Sequence, residues 1–545
     1  MYQHRQTRIF LQRQNELLRT ENEAMVHALS TPYTSSCISC SGPIVSTEEN
    51  ELWLENALLR SEIDTLTCFI RKLNSFINLY PVVGVSLTKW HYAVVAMTSL
   101  SLKEVVSLAR QGNPMWACND RLNLEEYYSN FFPWYARNAP GFVHEASRAY
   151  AMVPFDASLL VENLTNHVSW QKIFPSIIAD VSLESHNRVF QMINVNFMQQ
   201  ISPLIQTRNV KLLRRSMRIE NNTWVIVDIS MYFSSYARHS RPNFMRFPSG
   251  YLVEHIANGI SKVTVLDHWV YQEEEEVLIN NFSSNSRFGA HRWLTALQRH
   301  CYNTWSISIS SIGHQIQISG PICHTNLLNL STWMVFIFCT GVCGTTRQKW
   351  KRLDTIGFSV NNIRMFTRES RDMSGIPWGF VSATGMARMQ VTQEILFRLI
   401  NRAKKQDIWE NLASVKDMKE LIRIKRCPNP GNEVSVFCIE CNGPKEWYLI
   451  QETYYEAFGA MIICACIEAP CFTAIINGED LSGVEILPFG FTIIPNGLRE
   501  SFLSVACQVK INQTVLTDSD KLVEFMRNTI DDTLENVQNI RSVNP

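Results

Sequence analysis

The sequence carries no surplus of either charge. Its 50 Lys and Arg residues balance 50 Asp and Glu residues. No broad positive field is therefore present to hold a polyanion by charge alone. An apolar leader is also lacking: the opening MYQHRQTRIF is polar, and no secretory signal is expected. The 15 cysteines among 545 residues then read as mostly reduced, intracellular thiols. Apolar runs are short. WMVFIFC (Trp333–Cys339) falls far below the about 20 residues that span a bilayer, and AMIICACIEAPCFTAII (Ala460–Ile476) is broken by Glu468 and Pro470. No membrane span is expected.

Catalytic signatures are missing as well. There is no P-loop and no G-x-S-x-G, and His144-Glu145 has no second His at zincin spacing. The run Glu273–Glu276 reads as a solvated turn or helix start, and KLLRRSMR (Lys211–Arg218) as a solvated strand or helix face. No acid–base pair can be nominated, so neither catalysis nor a cofactor is expected.

What is present begins with heptads. Leu52, Leu59, Leu66 and Leu73 recur every seven residues, with Asn56, Ile63, Ile70 and Ile77 on a companion row. Ile at a and Leu at d favour a parallel two-stranded coil, and Asn56 at an a position sets its register. The arm from Leu52 to Ile77 would be roughly 39 Å long at 1.5 Å per residue. A weaker arm precedes it, with Leu11, Leu18 and Met25 on one row and Asn15, Asn22 and Leu29 on the other. Between them lies STPYTSSCISCSGP (Ser30–Pro43). Its Cys37 and Cys40 are weak metal or redox candidates, because one C-x-x-C supplies only two of four ligands. Cys438 and Cys441 share the spacing inside a strand-like segment, where core packing is the simpler reading.

Beyond the linker YPVVGV (Tyr80–Val85) the pattern is mixed α+β. TWVIVDIS (Thr223–Ser230) and SKVTVLDHWV (Ser261–Val270) alternate as strands. FGAHRWLTALQRHC (Phe288–Cys301) has helical period, with Ala290, Trp293, Leu294, Leu297 and Cys301 on one face and His291, Arg292, Gln298 and Arg299 elsewhere.

A long repeat is also visible. A strand, an amphipathic helix and a Trp occur twice, ending at Trp170 and Trp409. At nearly equal distances follow PSGYLV from Pro248 and PFGFTI from Pro488, with Trp224 and Trp447 between. Each copy closes on a helix, the Trp293 helix and DKLVEFMRNTIDDTLENV (Asp520–Val537). Two copies of one α+β unit are the economical explanation. A curved sheet wrapped on a helix leaves a hollow, and an apolar hollow takes an apolar ligand. Trp170, Trp224, Ala290, Trp293, Leu294 and Leu297 are the candidate lining. The same stripe can equally fill a core.

The blocks NELLRTENEAM, CISCSGP, LENALLRSEID, EASRAYAMVP, RFPSGYLVEHIANGISKVTVLDH and FGAHRWLTALQRHC resemble the class IV homeodomain–leucine zipper proteins of plants. MFTRES, VSATGMARM and LPFGFTIIPNG extend the resemblance to the C-terminal part. It implies a zipper-loop-zipper, with arm one and a homeodomain remnant over 1–29, the Cys loop over 30–49 and arm two over 50–79. A START lipid-binding domain of the helix-grip class is expected over 86–303, and a START-adjacent domain, itself START-like, over 304–545. Only Tyr2–Thr7 resembles a homeodomain, with His4 where the family's Asn would read adenine and Gln6 in place of a basic residue. No autonomous sequence-specific DNA binding is therefore expected. The resemblance implies a lipid or sterol ligand, and a homodimer or a heterodimer with full-length relatives. It also implies a nuclear address, although no clear basic import signal is present. The alternative is a cytoplasmic lipid carrier or sensor.

Overall fold

A computed structural model describes residues 87–543, excluding 113, 118–120, 132–141, 188, 199–206, 231–243, 258, 273–288, 311–320, 344–349, 354–362, 372–376, 403–416, 427–430, 441–445, 457–458, 480–485 and 513–518. The zipper positions, Cys37, Cys40, Trp409, Cys441 and the Glu273–Glu276 run lie outside the described residues. The chain divides into two compact units, 1–97 and 98–545. Of the first, residues 87–97 are described, and they are helical.

The second unit is built on two antiparallel sheets. Helix α1 (Leu87–Arg110) precedes β1 (Trp116–Ala117), β2 (Arg121–Leu122), α2 (Leu124–Asn130) and β3 (Phe142–Val153). Helices α3 (Ala157–Thr165) and α4 (His167–Ile173) follow, capped by Asp156 and Asn166, whose side-chain oxygens accept from the first free amides. Then come β4 (Ile178–His186), β5 (Gln191–Phe197), β6 (Arg208–Glu220), β7 (Thr223–Ser230), β8 (Phe244–Arg246), β9 (Ser249–Ala257), β10 (Ile260–Gln272) and the closing helix α5 (Ala290–Ser310). The sheet order is β1-β2-β3-β10-β9-β7-β6-β5-β4, with β8 on β10.

Alternation explains how this sheet is covered on both faces. In β7, Ile226 joins the core beneath α3, α4 and α5, whereas Val225 and Val227 face Leu102, Val105 and Leu108 of α1. In β9, Tyr251 and Val253 take the first face and Leu252 the second. Period two in the sequence has become two cores.

The second module repeats this plan. Helix α6 (Pro321–Cys343) leads into β11 (Lys351–Leu353), β12 (Arg364–Arg371), β13 (Pro377–Met389) and α7 (Gln393–Arg402). β14 (Asp417–Lys425), β15 (Glu433–Glu440), β16 (Trp447–Glu456), β17 (Gly459–Glu468), α8 (Ala469–Asn477), β18 (Phe489–Asn496), β19 (Glu500–Asn512) and α9 (Ser519–Val543) complete it. Its order is β11-β12-β13-β19-β18-β17-β16-β15-β14. The runs β3-β10-β9-β7-β6-β5-β4 and β13-β19-β18-β17-β16-β15-β14 thus have the same topology. Met526, Ile530, Leu534 and Val537 of α9 cover one face of the second sheet, and α6 covers the other.

Two glycines show the repeat at atomic scale. Gly250 has φ +149°, and a Cβ there would lie 1.9 Å from the Ile226 carbonyl oxygen. Gly490 has φ +155°, and its Cβ would lie 2.1 Å from the Ile462 carbonyl oxygen. Both open the strand next to the closing strand and pair with the same neighbour, β7 in one module and β17 in the other. Each is Gly because a side chain would collide with the adjacent strand's backbone.

Some sequence readings need correction. Trp224 and Trp447 are not counterparts. Trp224 opens β7, whose equivalent is β17, while Trp447 opens β16, the equivalent of β6. Equal spacing along the chain hid a shift of one strand. KLLRRSMR is not simply a solvated face either: it lies in β6, with Leu212, Leu213 and Arg214 buried. WMVFIFC belongs to α6, in which Ile322–Val342 is long and apolar enough to cross a membrane by length and composition. Leu327, Leu328, Met334, Val335 and Phe338 of this helix are buried in the core on the second sheet. Glu468 and Pro470 mark the turn where β17 ends and α8 begins.

Candidate functional site

The six candidate lining residues converge in the first module. Trp170 comes from α4, Trp224 from β7, and Ala290, Trp293, Leu294 and Leu297 from α5, and all belong to or pack on one apolar cluster. Trp170 and Trp293 stack with ring centres 5.7 Å apart. Phe174 and Phe197 meet Trp293 edge-on at 4.8 and 6.0 Å, and Trp269 meets Phe197 at 5.2 Å. Trp170, Ala290, Trp293 and Leu297 are 0% exposed, so their neighbours are other side chains. Trp224, only partly buried, sits at the margin beneath Arg218.

Within this greasy layer lie charges that periodicity did not reveal. Arg214 donates from Nε and Nη2 to the two carboxylate oxygens of Asp228, both at 2.7 Å, and from Nη1 to the Leu164 carbonyl at 3.1 Å. Its guanidinium lies 3.7 Å from the centre of a Trp170 ring. Every polar edge of this Arg is used, so Arg214 and Asp228 form a structural pair. Trp170 Nε1 donates to Tyr251 Oη at 3.1 Å. Burial pushes the Tyr251 hydroxyl pKa up, which keeps it a neutral donor and acceptor.

Arg246 is different. Its Nη2 lies 3.0 Å from Asp267 Oδ1, and both side chains are 1% exposed. Among the described residues its Nε and Nη1 are buried without a hydrogen-bond partner, as is Trp293 Nε1. The Arg246 guanidinium faces Trp293, Phe197 and Trp269 at 5.0, 5.1 and 5.3 Å. Three N–H donors without acceptors therefore share one apolar layer, where an unmatched donor costs about 1–3 kcal/mol. A ligand oxygen is the kind of group that would satisfy them. The sequence signal was faint: Arg246 opens the block RFPSG, and Asp267 interrupts an otherwise apolar alternation.

A further polar set lies on the other side of this sheet. Tyr128 Oη and His144 Nε2 are 2.7 Å apart, and His144 Nδ1 and His268 Nε2 are 3.1 Å apart. Burial lowers His144 to about 4 and holds His268 well below the usual imidazole range. Both rings are neutral near pH 7. Among the described residues no group of three or more His, Cys, Asp or Glu could hold a metal ion.

Residues 100–303 match the START domain family, and residues 322–542 match the PDF2-like, C-terminal domain. The homeobox-leucine zipper protein HDG1 of Arabidopsis thaliana is 28% identical over 89% of this chain and 69% of its own length. ANTHOCYANINLESS 2, also of Arabidopsis thaliana, is 28% identical over 82% of this chain, which spans 59% of that relative. The homeobox-leucine zipper protein ROC4 of Oryza sativa subsp. japonica is 27% identical over 97% of this chain and 78% of its own length. Human StAR-related lipid transfer protein 5 is 12% identical, covering 39% of this chain and 99% of that one at a TM-score of 0.27. The chain thus carries a START domain and a PDF2-like, C-terminal domain in series on its two sheets, and along most of its length it is similar to homeobox-leucine zipper proteins of plants.

Proposed function

We propose that this chain is a non-catalytic, lipid- or sterol-binding regulator of transcription that pairs through its zipper. The observation that carries the lipid reading is the set of unmatched donors on Arg246 and Trp293 inside the apolar layer of a START domain. A lipid supplies both what that layer favours, apolar surface, and what it lacks, an acceptor oxygen. The apolar part of a ligand would have to displace side chains packed around Trp170, Trp293, Leu294 and Leu297, which are buried against one another. The non-catalytic reading is supported by the pairing of the layer's carboxylates, Asp228 with Arg214 and Asp267 with Arg246.

Pairing rests on the heptads from Leu52 to Ile77. The chain acts in the nucleus without reading DNA itself, and pairs with full-length relatives. A mixed dimer then holds one DNA reader where a two-half-site operator needs two. Native mass spectrometry of the full chain tests the ligand, and a mass matching the bare polypeptide alone would remove it. Co-purification with a full-length relative tests the pairing. Leu59→Glu with Leu66→Glu should abolish it, and retention of the complex by that variant would refute the zipper. A tagged chain confined to the cytoplasm would favour a lipid carrier instead.

A further inference from the structure

The closing helix α5 is buried on both sides. Ala290, Trp293, Leu294, Leu297 and Cys301 face the START core, while Arg299 and Asn303 face the second module. Where α5 meets β16, β17 and β18 there is a cavity with ≈ 70 Å³ reachable by the centre of a water molecule. Its walls are mainly apolar and include Ile173, Ala296, Val335, Ala460, Met461 and Ile493. Arg292, Arg299 and Glu456 also reach it.

The charges around this cavity do not balance. Arg299 gives Nε and Nη2 to Glu452 Oε1, and Arg426 Nη2 lies 3.1 Å from the same oxygen. Arg426 also donates from Nη1 to Asn303 Oδ1 at 2.7 Å, and among the described residues its Nε is buried without a hydrogen-bond partner. Arg292 donates to the carbonyls of Met198 and Ser176. Three guanidinium groups against two carboxylates leave one positive charge in excess. Arg299 is 8% exposed. Among the described residues its hydrogen bonds run from Nε and Nη2, leaving Nη1 without an acceptor there, and its side chain lines the cavity.

We propose that this cavity is a second ligand site, separate from the START interior, for a small apolar monocarboxylate. The carboxylate accepts from Arg299 Nη1 and neutralises the excess charge. The hydrocarbon part rests on Ala296, Val335, Met461 and Ile493. Size sets the class. At roughly 10–15 Å³ of such space per water, the cavity holds about five to seven non-hydrogen atoms. This suits the carboxylate head and first carbons of an acid such as hexanoate, whose eight non-hydrogen atoms leave the chain end at the mouth. A phosphate fits poorly, because the apolar walls offer few donors and Glu456 would oppose a second negative charge.

The test uses the full chain with ¹³C-methyl methionine, because Met461 lies in the cavity wall. Hexanoate should shift the Met461 methyl signal saturably, with a Kd on the order of 1 mM for so few atoms. 1-Hexanol, with the same chain and no charge, should bind at least about tenfold more weakly. Ala296→Leu, which fills the chamber and leaves every charge in place, should abolish the shift. Arg299→Gln should weaken hexanoate about tenfold. An unmoved Met461 signal, an equal response to hexanol, or a response that survives Ala296→Leu would each overturn the proposal. Loss of lipid from the START interior alters none of these readings, so the two sites succeed or fail independently.

Discussion

Arg299, on the helix that closes the START domain, places Nε and Nη2 2.8 and 2.5 Å from a single carboxylate oxygen of Glu452 in the second sheet. Arg426 approaches that oxygen from its own sheet, and the triad is almost fully buried. Burial alone would raise the Glu452 pKa, but the charges of Arg299 and Arg426 outweigh it and hold it below the usual value. Arg426 is itself lowered by burial, against the pull of Glu452. Glu452→Gln leaves two buried cations without their counter-charge. It should cost about 3–5 kcal/mol and split one cooperative unfolding transition into two. Calorimetry decides this, and an unchanged single transition would show that the triad does not couple the modules.

The two equivalent glycines should fail alike. Gly250→Ala and Gly490→Ala each drive a methyl group into a strand's carbonyl oxygen at 1.9 and 2.1 Å. Each should destabilise its own sheet by at least about 3 kcal/mol. Gly259, also at positive φ but with open space around it, is the control, and its change to Ala should cost about 1 kcal/mol. Urea titration of the three variants makes the comparison.

Acid should loosen the fold before carboxylates titrate. Burial lowers His144 and His300 to about 4, and His268 shifts in the same direction. Between pH 6.5 and 4 the unfolded chain binds protons that the folded chain refuses. Stability therefore falls as pH drops through this window and is unaffected by these groups above it. The loss should reach roughly 2 kcal/mol per group by pH 5. Urea midpoints at pH 7 and pH 5 measure it, and His144→Asn with His300→Asn should flatten the difference.

Arg246 should matter for ligand more than for fold when it is changed together with its partner. Arg246→Met with Asp267→Asn removes both charges and leaves no lone buried ion. The double variant should keep its unfolding cooperativity yet lose bound lipid in native mass spectrometry. Full lipid occupancy in that variant would assign the unmatched donors a purely structural role.

Local pattern determined much of this protein. Alternation in TWVIVDIS gave a strand over the same residues, Thr223–Ser230. The Trp293 stripe gave the face of α5 that meets the START core, because helical period is set by backbone geometry alone. The duplicated strand order follows from sequence that repeats, and Gly250 and Gly490 mark it because only one residue type tolerates their backbone.

What pattern could not supply is the partner of each charge. Arg214 and Asp228, or Arg246 and Asp267, look like ordinary strand charges until pairing puts them in one buried layer. Arg299 lies 153 residues from Glu452, and helical period placed it off the apolar face of its helix without naming any partner. The Trp224–Trp447 mismatch has the same origin, since distance along a chain does not count strands. Sequence fixes what each segment prefers to be. Which surfaces meet, and hence which ions go dry, is decided by packing at long range, where burial makes an unpaired charge too costly to leave to chance.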